Sequence, residues 1–255
     1  MMRGKADLQG FARVVALLLV GLFLSGCSAG KGLQEVTSHG AGKLAQESRP
    51  VDIVVMAGPG WNHKFRLGGL LPVNAPPQLA IWTEATSGAY VDTLYVTEKF
   101  AKQKWGTGPT TETFRIEALP VWTNRYRDAG HVSPTRDAPL PDATTGPTPG
   151  RSFRLRASVP ATEKLVRFTV EVNVSYDGNP DYPDNAAAGD PNYTGTSGQP
   201  SLVYSGIVDV TVSGEHQLIL VGHGHPAGTD GRVYPGLFSV TSARQLIETC
   251  TVVVP

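Results

Sequence analysis

The chain has 255 residues and equal numbers of basic and acidic side chains, 22 of each, so its formal net charge is zero. This balance argues against a nucleic-acid-binding domain, which needs a basic surface. Charged residues make up only 17% of the chain, whereas 29 glycines and 20 prolines favour strands joined by many turns, and two cysteines exclude a disulfide-rich scaffold.

Residues 1–26 are predicted to be a lipoprotein signal peptide. Three basic residues precede an apolar run over 14–24, which ends in the lipobox Leu24-Ser25-Gly26-Cys27. This run of eleven residues is about half the roughly 20 that a transmembrane helix needs. We expect cleavage before Cys27, lipidation of Cys27 and attachment to a membrane outside the cytoplasm. An ordinary signal peptide with an incidental cysteine is the alternative.

Residues 27–50 follow as a polar segment of small residues, which predicts a flexible tether between the lipid and a domain over 51–255. Ser28, and not an aspartate, follows the lipidated cysteine. In a Gram-negative host this favours the outer membrane, with the domain facing the periplasm.

Alternating apolar and polar residues predict strands in most of the remaining chain. The clearest case is the run Val166, Phe168, Val170, Val172 and Val174, whose intervening polar residues are expected to face solvent. Cys250 is expected to pack as a small apolar residue in a terminal strand. Two hairpins are predicted, from 78–84 with 90–96 and from 208–212 with 216–221. Shorter strands are predicted over 51–56, 114–121, 153–159 and 249–254.

Two long segments, 128–150 and 176–199, are rich in proline or in Asp, Asn and Gly, and they are predicted to be elaborated loops. Only 242–247 is predicted to be helical, because Ser242 and Gln245 have capping-box spacing. The pattern predicts an all-β fold. Its expected architecture is a single antiparallel β-sandwich, immunoglobulin-like or related, with two long loops and at most one short helix.

Six short motifs lie in a fixed order along the predicted domain. They are PQLAIWTE (77–84), YVDTLYVT (90–97), EALPVW (117–122), DATTGPT (142–148), GQPSLVY (198–204) and GHPAGTDG (224–231). Over about residues 51–248 the chain resembles an uncharacterised bacterial periplasmic family, the domain of unknown function DUF 2271. The resemblance implies a secreted β-rich domain, and it implies no catalytic residues because the family has no assigned activity.

A possible cofactor site lies at Asp142, Thr145, Gly146 and Thr148. This spacing resembles the acceptor motif of proteins that carry covalently attached flavin mononucleotide, in which a threonine hydroxyl forms the phosphoester. Thr148 would be the acceptor. Pro147 replaces the usual alanine and removes a backbone donor. The alternative is a plain turn.

A possible calcium site lies at Asp177, Asn179 and Asp181, which alternate as oxygen ligands do in calcium loops. The segment is not an EF-hand, because the sixth position lacks glycine and the twelfth lacks glutamate. Asp and Asn also dominate ordinary turns, so a structural turn without metal is the alternative.

A possible zinc site lies at His223 and His225, with His63 as a third ligand. Alternate residues of an extended strand face the same side, so both imidazoles would reach one ion. No HExxH motif is present. The alternative is that both histidines hold a Gly/Pro-rich turn through hydrogen bonds.

These observations predict a lipid-anchored extracytoplasmic protein that acts as a non-catalytic binding or accessory subunit in the cell envelope. No catalytic residue and no bound cofactor are predicted, and the expected partners are the membrane and an envelope protein. The first alternative is an electron-transfer protein flavinylated at Thr148. The second is a zinc-dependent hydrolase that uses His223 and His225.

Overall fold

The computed structural model describes residues 32–38, 47–62, 64–67, 71–74, 76–105, 114–141, 145–173, 178–183, 187, 189–194 and 198–255. In these ranges the strands are β1 Gln34–Thr37, β2 Ser48–Ala57, β3 Lys64–Leu67, β4 Leu71–Asn74, β5 Gln78–Glu84, β6 Tyr90–Thr97, β7 Thr145–Gly146, β8 Phe153–Pro160, β9 Leu165–Asn173, β10 Leu202–Asp209, β11 Gly214–His223 and β12 Ile247–Val254. The helices are α1 Glu98–Ala101 and α2 Pro120–Asp128, with single 3-10 turns at Ile116–Ala118 and Ser242–Gln245.

Ten of these strands form one continuous hydrogen-bonded sheet in the order β1-β8-β2-β12-β11-β10-β9-β5-β6-β7, and β3 and β4 form a separate hairpin. The two outermost pairs are parallel and the inner pairs are antiparallel. Residues 214–218 of β11 pair with β12, whereas 219–223 pair with β10. The all-β class is confirmed, and the architecture is a curled sheet. The helices in the described residues are too short or too polar to cross a bilayer.

The main hydrophobic core lies against the inward face of the curled sheet. Val166, Phe168, Val170 and Val172 of β9 all point into it, as the alternation predicts. Cys250 of β12 lies in the same core and is fully buried. The hairpin predicted from 78–84 with 90–96 and the strands predicted over 51–56, 153–159 and 249–254 are present. The second hairpin is present with other bounds: β10 ends at Asp209, residues 210–212 form the turn, and the pairing joins 202–205 to 219–223.

A second hydrophobic cluster covers part of the outward face of the sheet. Trp82 of β5 and Val203 of β10 pack there with Phe100 of α1 and Trp122 of α2. The rings of Phe100 and Trp122 meet edge to face, with 5.8 Å between their centroids. The two helices are therefore held on the outside of the sheet by aromatic packing.

The prediction of a strand over 114–121 and of at most one short helix is wrong. This segment forms the 3-10 turn and the start of the nine-residue helix α2, and α1 is a second helix. Pro120 explains the difference, because a proline lacks the N–H that a strand ladder needs but suits the first position of a helix.

Three further segments differ in detail from the sequence-based expectation. Strand β1 lies inside the segment 27–50 predicted to be a tether, and it pairs with β8. The segment 242–247 forms a 3-10 turn without a side-chain cap, so the capping box does not form. The segment 128–150 contains the end of α2 and the short strand β7, whereas the described part of 176–199 contains no strand or helix.

Candidate functional site

Three rows of side chains cross the outward face of strands β5, β9 and β10. Residues paired in neighbouring strands project to the same face, so the register places their side chains next to one another. Alternate residues of β9 (Arg167, Thr169 and Glu171) give the rows their names. The Arg167 row is Glu84, Arg167 and Ile207; the Thr169 row is Trp82, Thr169, Ser205 and Ile219; the Glu171 row is Ala80, Glu171 and Val203.

The Glu171 row is covered by the first turn of α2. The backbone N–H groups of Val121 and Trp122 donate to the two carboxylate oxygens of Glu171, at 3.1 and 2.7 Å. The Ser201 hydroxyl donates to Oε1 at 2.6 Å. Glu171 is fully buried. It therefore supplies acceptors to helix N–H groups that have no partner within α2.

Burial changes the acidity of this carboxyl group. It raises the pKa of Glu171 from 4.5 to about 7, although the three hydrogen bonds favour the charged form and lower the pKa. Glu171 therefore gains and loses its proton close to neutral pH. An exposed glutamate does so about three pH units lower.

Helix α2 places a guanidinium group beside the Arg167 row. Arg125 lies one turn after Val121, and its Nε is 3.5 Å from Oε1 of Glu84. Nε of Arg167 is 3.8 Å from Oε2 of the same carboxylate, and the indole N–H of Trp82 donates to Oε1 at 2.9 Å. The Glu84 side chain is only 7% exposed, whereas those of Arg125 and Arg167 are 39% and 30% exposed. Two accessible cations are thus held by one buried anion.

A cavity of about 450 Å³ lies where α2 leaves the Thr169 and Arg167 rows uncovered. One end carries Glu84, Arg125 and Arg167. The apolar part of the remaining lining consists of Trp82, Val121, Val203, Val221, Val233 and Pro235, and Ser87, Gly88, Thr169 and Ser205 complete it. This volume and this mixture of an apolar lining with a few polar groups are typical of small-molecule sites.

Two hydroxyl groups lie between the charged end and the apolar end. Oγ of Ser205 donates to the carbonyl oxygen of Phe168 at 3.1 Å and lies 3.1 Å from Oγ1 of Thr169. Because Ser205 uses its proton on a backbone carbonyl, Thr169 is the donor to Ser205. Both residues line the cavity.

The predicted flavin acceptor lies elsewhere, next to β7. The Thr148 hydroxyl donates to the carbonyl oxygen of Pro77 at 3.1 Å, and the side chain is partly buried. Gly146 packs against the ring of Tyr95. Asp142 lies outside the described residues. Covalent flavin at Thr148 stays a prediction.

The two histidines of the predicted zinc site pack on one ring, that of Tyr234, with centroid distances of 5.6 Å for His223 and 5.9 Å for His225. Nδ1 of His223 donates to the carbonyl oxygen of Gly224 at 2.7 Å. Nδ1 of His225 accepts the N–H of Ala227 at 3.1 Å. His63 lies outside the described residues, and the zinc site stays a prediction.

The predicted calcium ligands are partly described, and they make turn contacts. The side-chain oxygen of Asn179 accepts the N–H groups of Asp181 and Tyr182, both at 2.9 Å. Asp177 lies outside the described residues, as does the predicted lipidation site Cys27. Among the residues that the structure describes, no three His, Cys, Asp or Glu side chains are grouped as metal ligands. Calcium stays a prediction.

The cavity residues are not among those that the sequence singles out. Alternation along β9 predicts that Thr169 and Glu171 face solvent, but both are buried. The first turn of α2 covers Glu171, whereas Thr169 lies at the bottom of the cavity. The helix that begins at Pro120 was not predicted from the sequence, and this helix brings Val121 and Arg125 over the sheet. The sequence shows Glu84 and Arg167 only as separate charged residues, and strand pairing makes them neighbours.

No family model, no curated protein and no solved structure matches the chain.

Proposed function

We propose that this protein is a lipid-anchored, extracytoplasmic binding or accessory subunit of the bacterial cell envelope, and that the cavity beside α2 is its binding site. The observation that carries the proposal is a preformed cavity of about 450 Å³ whose charged end is fixed by Glu84. Sites for small molecules are mostly preformed in this way.

The chemistry of the cavity supports binding more than catalysis. Among the described residues that line it, Glu84 is the only carboxylate, and two guanidinium groups and an indole N–H engage its oxygens. A general base needs a free lone pair within reach of the proton that it removes. Ser205 donates to a backbone carbonyl and not to such a base.

The envelope location is supported by the lipobox sequence at Cys27. A lipobox cysteine receives more than one acyl chain, and two or more chains hold a protein stably on a membrane. We expect Cys27→Ser to abolish lipidation and to move the protein out of the membrane fraction. Unchanged fractionation and unchanged lipid mass would contradict the lipid anchor.

The cavity is tested with three probes that share a phenylbutyl body: 4-phenylbutyrate, its neutral amide and 4-phenylbutylamine. Titration calorimetry on the lipid-free domain is expected to detect binding of at least one of them. Val233→Trp fills the cavity and should remove that binding. Val212→Trp is the matched control, because Val212 is exposed and does not line the cavity. Absence of binding by all three probes, or equal binding by both variants, refutes the assignment of the cavity.

A further inference from the structure

We propose that the cavity selects an organic acid with one negative charge and an apolar body at least about 10 Å long, whose anionic group lies between Arg125 and Arg167. This inference rests on the proposed function and specifies its ligand class. It follows from three separate observations: the charge of the site, the free edges of the guanidinium groups and the direction of the apolar lining.

The first observation is the formal charge of the residues that line the cavity. The described residues that line the cavity include two guanidinium groups and one carboxylate, a formal excess of one positive charge. Glu84 cannot neutralise both cations, yet it holds both in place. A ligand with one negative charge completes the balance. The neighbouring surface groove along Arg125 carries Asp128, Asp230 and Arg232, so apart from Arg125 it has a formal excess of one negative charge. The positive excess therefore belongs to the cavity lining alone.

The orientation of the guanidinium groups is the second observation. Both arginines approach Glu84 through Nε. Arg167 also donates from Nη2 to the carbonyl oxygen of Thr86 at 3.4 Å, and the terminal nitrogens of Arg125 make no hydrogen bond to another described residue. A guanidinium group has five N–H donors in a planar fork that matches a carboxylate. Donors therefore remain for an anion after Glu84 is bound.

The apolar lining is the third observation, and it extends in one direction. The Thr169 row runs from β9 across Ser205 of β10 to Ile219 of β11, and Val221 lines the cavity two residues further along β11. Two strand spacings cover about 10 Å across the sheet, and the shift along β11 to Val221 adds to this distance. Thr169 and Ser205 also line the cavity. An apolar body that extends from the arginines would thus lie over Val203 and end at Val221 and Val233.

The three phenylbutyl probes separate charge selection from binding as such. We expect 4-phenylbutyrate to bind at least about tenfold more tightly than its amide, since charge-assisted hydrogen bonds contribute more than neutral ones. The amine should bind most weakly. Arg167→Met and Arg125→Met should each weaken acid binding about tenfold and change amide binding less than twofold. Arg127→Met, on the same helix but outside the cavity, should change neither.

A gain-of-affinity variant keeps the test informative if an arginine variant is unstable. Glu84→Gln keeps the shape and an acceptor oxygen but removes the competing charge, so the acid should bind several-fold more tightly. Equal affinity for acid and amide, or tighter binding of the amine, would overturn the proposed ligand class and leave the binding function intact. A loss of acid affinity in Glu84→Gln with an unchanged melting temperature would also overturn it. Failure of all three probes refutes the binding function itself.

Discussion

The carboxylate of Glu171 accepts the backbone N–H of Trp122 at 2.7 Å, and this contact joins the buried outward face of β9 to the first turn of α2. Val121 and Ser201 donate to the same carboxylate. One side chain in the sheet therefore fixes the helix that carries Arg125. The position of one of the two cavity cations depends on a residue that does not line the cavity.

Glu171→Ala is expected to lower both stability and ligand affinity. It leaves two backbone N–H groups and a hydroxyl without their acceptor, and the expected loss is about 3 kcal/mol in the free energy of unfolding. Binding of 4-phenylbutyrate should weaken as well, because α2 is no longer fixed. Glu215→Ala, at an exposed position on β11, is the control. Equal denaturation midpoints for the two variants would show that Glu171 does not hold α2.

Stability should also depend on pH through Glu171. Its pKa is raised from 4.5 to about 7 in the folded state, so the folded protein binds more protons than the unfolded chain between these pH values. The free energy of unfolding should therefore fall as the pH rises from about 4.5 to 7, by about 3 kcal/mol in total, and level off above that range. The measurement is urea denaturation at several pH values for the native protein and Glu171→Gln. Between pH 4.5 and 7 the free energy of unfolding should fall by about 3 kcal/mol more in the native protein than in Glu171→Gln. Parallel curves for the two proteins would contradict the raised pKa of Glu171.

Gly224→Ala should destabilise the contact between β9, α2 and the segment after β11. A methyl group at this position would come within 2.5 Å of Oγ of Ser201 and 2.6 Å of Cγ of Pro120. Overpacking of this kind costs about 1–3 kcal/mol. Gly150→Ala is the matched control, since a methyl group there meets no atom within 4 Å. Equal melting temperatures for Gly224→Ala and Gly150→Ala would contradict the close packing at Gly224.

The thiol of Cys250 should be unreactive until the protein unfolds. Burial raises the pKa of Cys250 to about 12, so at pH 8 the group is protonated as well as enclosed. In the Cys27→Ser variant it is the only thiol in the chain. A maleimide probe should label it in denaturant and not in buffer. Fast labelling of the native variant would place β12 outside the core.

The flavin alternative is tested by mass. If Thr148 carries flavin mononucleotide, the domain exported in a host with a flavin transferase should be yellow and heavier by one flavin nucleotide, and Thr148→Ala should remove both properties. The contact of Thr148 with Pro77 would have to break for the hydroxyl to react. A colourless domain of unmodified mass rules out this alternative under those conditions.

The strands of this protein were predictable because their signal is local. Val166 to Val172 alternate along β9, and that pattern alone identifies the inward face of the strand. The cavity was not predictable in the same way. Arg125 and Glu84 are far apart in the sequence, and their contact depends on how α2 crosses the sheet. The apolar residues around Val121 fit a strand as well as a helix, and Pro120 decides between them through its missing N–H.

Strand β11 belongs to both halves of the curled sheet, because residues 214–218 pair with β12 and residues 219–223 pair with β10. Loss of β11 would therefore expose an unpaired backbone edge on β10 and on β12. The two halves should therefore unfold together in one cooperative transition. Hydrogen exchange should accordingly give the amides of β11 the same opening free energy at both ends, equal to that of global unfolding.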